Sequence, residues 1–222
     1  MKKTFFIFIF ILAAASVFAQ RGIIRELSGT VELKTSGAVS FSPANTGDTV
    51  GENTVISTGF KSSALLAVGS SLITVRPLTR LTLTEIMSTS GAETLNVSLQ
   101  TGRVRVDVNP PAGTRANLTV ISPVATASVR GTSFEFDTRN VWVSKGKVAY
   151  SGNRGHMHVV GGGLSGKLND DGKAEDPLYI KLAEFLPPAP VGTDSTSGAT
   201  GDSSSYASAV IVIMPAWDFV SE

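Results

Sequence analysis

His156 and His158 are the only two histidines of this 222-residue chain, and their i, i+2 spacing would put both on one face of a β-strand. A zinc or copper ion wants three or four ligands, and with no cysteine in the chain a pair of imidazoles falls short. They read as a solvent-facing pair on an edge strand, with no metal bound. Gly161 to Leu168, GGGLSGKL, has the spacing of a phosphate loop that ends in Gly166-Lys167. That chemistry needs a hydroxyl after the lysine to hold Mg²⁺ and a helix N-terminus facing the phosphates. Leu168 has no hydroxyl and Asn169-Asp170-Asp171-Gly172 reads as a turn, so a flexible loop is expected. Asn169 to Asp176 holds four acidic residues without the alternating Asp/Asn ligands of a calcium loop. Glu135 and Asp137 flank Phe136 on one strand face, a spacing that marks a solvated surface more often than a glycosidase pair. Serines are plentiful, but Gly-x-Ser-x-Gly is absent and no acidic residue is placed to orient a histidine. Neither an enzyme nor a cofactor is expected.

Arg130 is the more informative residue. In Thr126 to Phe136, TASVRGTSFEF, Ala127 and Val129 are odd-numbered while Phe134 and Phe136 are even-numbered. Strand side chains alternate faces, so these four reach one core only if an extra residue shifts the register. Arg130-Gly131 is the expected bulge, because glycine tolerates the backbone angles and the bulge re-aims Arg130. The guanidinium then either bridges nearby carbonyls or a carboxylate, or joins a binding surface with Thr132.

The elements that must position these residues are short. From Ile23 to Val160 the chain is a succession of alternating apolar runs punctuated by Gly, Asn, Asp and Pro, such as Ala64 to Val68, Leu95 to Leu99, Val104 to Val108 and Val141 to Val143. This spacing predicts an all-β domain, an antiparallel β-sandwich or solenoid-like β-roll built of short hairpins. If Thr101-Gly102 is a two-residue loop, Leu99 faces Val104 and Val97 faces Val106; Lys145-Gly146 likewise sets Val143 against Val148. After Gly161, Leu178 to Leu186 has the spacing of one short C-terminal helix, ended by Pro187-Pro188. Residues 187–208 form a Pro, Gly, Ser and Thr linker. Residues 209–222 are apolar, with Val210 to Ile213, Trp217 and Phe219, and suit a terminal strand or a docking peptide that pairs with a partner's sheet edge.

Residues 1–19 read as a cleaved signal peptide: Lys2-Lys3, an apolar run, then small residues Val17 and Ala19. As a helix, Thr4 to Ala19 would span about 24 Å, short of the roughly 30 Å hydrocarbon core. Its removal takes two of the 19 basic residues and none of the 18 acidic ones, moving the formal charge from +1 to −1. No basic patch remains for nucleic acid. The absence of cysteine rules out a disulfide framework and a lipid-modified cysteine, so stability rests on a core.

Several short pieces resemble, in order, the FecR domain of bacterial envelope regulators: Gly29-Thr30-Val31, Gly47-Asp48, Ile56-Ser57-Thr58-Gly59, Ser63-Ala64-Leu65, Gly69-Ser70, Gly102-Arg103-Val104, Ile121-Ser122-Pro123, Ala127 with Val129-Arg130-Gly131-Thr132, and Gly146 to Val148. They cover about Leu27 to Gly152. Val68 and Ser122 depart mildly from the family pattern. The resemblance implies a periplasmic domain of the kind that touches an outer-membrane receptor. Sensors of this family add a cytoplasmic segment and a membrane helix; neither is expected here, so the resemblance is not taken to imply the sigma-regulating role.

The expectation is therefore a periplasmic or secreted bacterial module, with a signal peptide over 1–19, a FecR-like β domain over 20–160, a glycine-rich loop and short helix over 161–186, and the linker and apolar tail. Its partner would be an envelope protein or peptidoglycan, with no nucleic acid bound and no transmembrane segment left after cleavage. Binding residues are Arg130, Thr132, Trp217 and Phe219; Gly131, Gly102 and Gly146 are structural. The competing role is a detached sensor subunit that works with a separate membrane anti-sigma partner.

Overall fold

The computed structural model describes residues 21–89 and 91–185. The signal segment, the linker and the apolar tail with Trp217 and Phe219 lie outside the described residues.

The chain zigzags between two sheets. β1 (Gly22–Ser28) lies in a first sheet, β2 (Val31–Lys34) and β3 (Ser42–Pro43) in a second, β4 (Thr49–Val50) in the first and β5 (Thr54–Thr58) in the second. Hairpins then alternate. β6 (Ser63–Val68) and β7 (Ser71–Val75) pair in the first sheet, β8 (Arg80–Thr89) and β9 (Ala92–Thr101) in the second. β10 (Arg103–Val108) returns to the first sheet, and β11 (Arg115–Ile121) and β12 (Ala125–Arg130) pair in the second. β13 (Ser133–Asp137) and β14 (Asn140–Lys145) pair in the first, β15 (Lys147–Gly152) and β16 (His158–Gly161) in the second, and β17 (Ser165–Lys167) ends in the first. The eight-stranded order is β17-β14-β13-β10-β7-β6-β1-β4 and the nine-stranded order is β16-β15-β12-β11-β9-β8-β5-β2-β3. Apart from the terminal pairs β1–β4 and β2–β3, strand number thus rises along both sheets together. The molecule is layered as a sandwich and wound as a roll.

The alternation of buried and more exposed side chains along strands such as β6, β10 and β12 explains the layering. Inward residues of both sheets form one core in which Phe134, Phe136 and Tyr150 are the largest fully buried side chains. Phe136 of β13 meets Tyr150 of β15 edge-on across the two layers, centroids 6.5 Å apart at 71°. Such a pair adds about 0.5–1.5 kcal/mol to the burial of its rings.

The hairpins expected at Thr101-Gly102 and Lys145-Gly146 do not form. Leu99 pairs with Leu81 within the second sheet, and Val104 pairs with Val75 and Phe136 in the first. Both glycines, at φ 88° and φ 90°, turn the chain from one sheet into the other. A hairpin points partners at equal distance from the loop to one side of a sheet, whereas a corner points them at each other across the core. Both geometries bury the same residues, so apolar matching cannot separate them. Gly131 (φ 62°) is likewise a corner, between β12 and β13, and not a bulge within one strand. Crossing between sheets resets the parity of Val129 and Phe134. The sheet is also not purely antiparallel, because β11 runs parallel to β9 with Leu118 opposite Leu95.

Buried hydroxyls bind these corners. Thr79 Oγ1 accepts from the Arg103 amide at 3.0 Å, Ser62 Oγ from the Thr30 amide at 2.8 Å, and Ser122 Oγ accepts from Ala125 N at 2.9 Å while donating to Thr138 O at 2.7 Å. Among the described residues no buried side-chain polar atom lacks a partner, as a stable interior requires.

At the end of the roll, Leu168 and Ala174 join the core and α1 (Pro177–Ala183) packs against β17 and β16. Asp176 caps the helix by accepting from Leu178 N at 2.9 Å, with Pro177 at its first position. The helix stops at the Glu184 cap, before the prolines that were expected to end it. Leu178, Leu182 and Phe185 of this segment are exposed. Among the described residues no helix is long and apolar enough to cross a membrane.

Candidate functional site

Two clusters of charge on the outer faces of the sheets differ. On the first sheet, neighbouring strands place Arg76, Arg103, Glu135 and Asp137 side by side. Glu135 takes Arg76 and Arg103, each at 3.4 Å, and Arg103 also reaches Asp137 at 3.6 Å. The Arg103 guanidinium lies over the Trp142 ring, 4.6 Å from its centroid. Asp137 further accepts the amides of Arg139 and Asn140, both at 2.7 Å, and so shapes the β13–β14 turn. The carboxylate pair of Glu135 and Asp137 is thus consumed by arginines and a turn, leaving neither free as an acid or base.

On the second sheet, β11, β12, β15 and β16 carry a cavity of about 640 Å³ with Asn117, Thr119, Ser128, Arg130, Lys147 and Val159 in its walls. The small outward residues of these strands explain it, since Ser128 and Ala149 lie low between the longer side chains at the rim. Arg130 Nε donates to Asn117 Oδ1 at 2.9 Å, which orients the guanidinium along the face. Lys147 precedes Val148, the partner of Val129, so it stands beside Arg130. Neither cation takes part in an ion pair among the described residues, and no Asp or Glu lines the cavity. Arg130 thus bridges no carbonyl and no carboxylate.

Thr132 is placed differently. It is 1% exposed, and its hydroxyl donates to Lys147 O at 3.1 Å, with its Cα packed under Gly146. Its side chain holds two corners together. Gly131 and Gly146 set the corners on either side of the Arg130–Lys147 pair, and Gly102 sets the corner beneath Arg103.

The other candidates stay apart. Gly166 and Lys167 lie in β17, with Lys167 Nζ 3.9 Å from Glu175, and no helix follows them directly. His156 is exposed in a loop and His158 begins β16. Among the described residues no three His, Cys, Asp or Glu side chains could share a metal ion. Asn169 Oδ1 accepts from Lys173 N at 2.9 Å, closing an ordinary turn. The Tyr150 phenol is pushed well above its usual value, first by burial and then by the negative charge of Asp137. It donates to the carbonyl of Arg139 and faces no cavity. Lys147 and Trp142 were not singled out from the sequence. Alternation places both on outer faces, but only the pairing of β12 with β15 and of β13 with β14 shows their neighbours.

Two crystal structures of a Parabacteroides distasonis protein named as a candidate anti-sigma factor are similar to this chain, both at 16% identity and a TM-score of 0.44. One likeness covers 59% of this chain and 64% of that chain, the other 57% and 62%. This chain therefore spans less than two thirds of the length of those structures. No curated protein matches the sequence. The family model described as FecR protein matches residues 54–149, from β5 to the middle of β15.

Proposed function

We propose that this chain is an exported, non-catalytic interaction module of the bacterial envelope, which binds an envelope protein or a cell-wall component through the outer face of its second sheet. The observation that carries this is the contrast between the faces. Arg76, Arg103 and Arg105 of the first sheet each pair with a carboxylate, whereas Arg130 and Lys147 flank a cavity of about 640 Å³ with no carboxylate in its wall. An oriented cation without a counter-ion is poised for an anionic group on a partner. The test is co-sedimentation with purified cell-wall sacculi, and crosslinking to envelope proteins, for the wild-type chain and for Arg130→Ala. Loss of binding with an unchanged melting temperature is the expected result. Undiminished binding by the variant would remove this face from the mechanism.

The FecR match over residues 54–149 favours a second role, a detached periplasmic sensor subunit that works with a separate membrane anti-sigma partner. Co-purification with such a regulator, lost in Arg130→Ala, would select it over the wall-binding role.

A further inference from the structure

We infer that the cavity beside Arg130 is a site for an acidic oligosaccharide, one whose sugar carboxylate sits between Arg130 and Lys147. This rests on the outer-face role proposed above and adds the class of ligand.

The first argument concerns the main chain. β12 is hydrogen-bonded to β11 on one side and to β15 on the other, and β15 is closed by β16. β11, β12 and β15 therefore have a paired neighbour on both sides and only β16 keeps an open outer edge, so an extended peptide cannot add to the sheet over the cavity floor. Recognition must go through side chains.

The second argument is the chemistry of the floor. Thr119, Ser128, Ala149 and Val159 form one row across four strands, and Asn117, Arg130 and Lys147 form the row beside it. Thr119 Oγ1 and Ser128 Oγ lie 3.2 Å apart, so one hydroxyl donates to the other and a donor and acceptor sites remain. A surface of hydroxyl and amide groups that both gives and receives hydrogen bonds matches a polyol. Ala149 and Val159 continue the same row as a small apolar step, against which the C–H face of a sugar ring can rest.

The third argument is geometric. Rows cross the strands at a spacing of about 4.8 Å, close to the advance of one pyranose unit along a glycan. Successive sugars would then meet successive strands. The cavity volume of about 640 Å³ accommodates a short oligomer.

The fourth is charge. Arg130 Nε is committed to Asn117 Oδ1, which turns the remaining guanidinium donors along the cavity as a fixed fork. With Lys147 adjacent and no acidic residue in the wall, a carboxylate there meets two cations.

The experiment is isothermal titration of the full chain with three probes: trigalacturonate, neutral maltotriose, and pentaglutamate. Trigalacturonate should bind at least tenfold more tightly than maltotriose, weaken as salt rises, and lose at least tenfold in affinity in Arg130→Ala and in Lys147→Ala. Ser128→Val, which removes a floor hydroxyl and leaves both cations, should weaken trigalacturonate several-fold and leave pentaglutamate unchanged. Pentaglutamate binding as tightly as trigalacturonate would overturn the saccharide assignment. No binding of trigalacturonate by a wild-type chain that still holds sacculi or an envelope protein through Arg130 would overturn the ligand class and leave the interaction face standing. Trigalacturonate affinity unchanged in both cation variants would overturn the site itself.

Discussion

The amide of Arg103 donates to Oγ1 of Thr79 at 3.0 Å, across a corner where Gly102 has no room for a side chain. A Cβ at Gly102 would collide with Oγ1 and Cα of Thr79, and φ is 88°. Gly37 also has a positive φ, 81°, but faces open space. Gly102→Ala should therefore lose about 3 kcal/mol or more from strain plus overpacking, against about 1 kcal/mol for Gly37→Ala. Urea melts of the two variants check the order; equal losses would mean that the corner relaxes freely.

Tyr150 makes stability depend on alkaline pH. Its folded-state pKa lies above the unfolded value of about 10, so its contribution is fully present below about pH 10 and falls as pH rises beyond it. Tyr150→Phe should cost about 1 kcal/mol at neutral pH, through the lost bond to the Arg139 carbonyl, and should flatten the alkaline fall. Absorbance titration provides the second check. One of the three tyrosines should ionise only as the chain unfolds.

Thr132→Val separates a corner function from a binding function. The change keeps the volume and removes the bond to Lys147 O, so the chain should lose about 1 kcal/mol while ligand binding at neutral pH is unchanged. Thermal melts and a binding titration read the two effects independently. Lost binding with intact stability would give Thr132 a direct contact.

Leu78 sits at φ 55° and is 60% exposed, with its amide donating to Gly59 O at 3.2 Å. The left-handed backbone costs a leucine about 1–2 kcal/mol, a penalty glycine avoids. Leu78→Gly should therefore be neutral or should stabilise the chain by up to about 1 kcal/mol, the reverse of a usual glycine substitution. A destabilised variant would show that Leu78 packs against its neighbours more than its exposure implies.

Much of this was legible in the residues themselves. Alternation along Leu95 to Leu99, Val104 to Val108 and Phe134 to Phe136 set which side chains go inside, because a strand has only two faces and one of them must leave water. Glycine at 102 and 146 marked where the chain turns, because glycine adopts the positive φ those turns need, whereas Gly131 read as a bulge and proved to be a corner. Which sheet each strand joins was a tertiary decision. Leu99 and Val104 are inward whether they pair or face across the core, so the choice between hairpin and corner hung on interactions distant in sequence: Leu99 beside Leu81, Val104 beside Val75, and Thr79 beneath Gly102. The same decision placed Asn117, Arg130 and Lys147 together around a cavity with no carboxylate in its wall, and Arg76, Arg103 and Glu135 together where opposite charges pair. Cross-strand neighbours depend on register between strands, and a register set by the whole core leaves no local mark in the chain that obeys it.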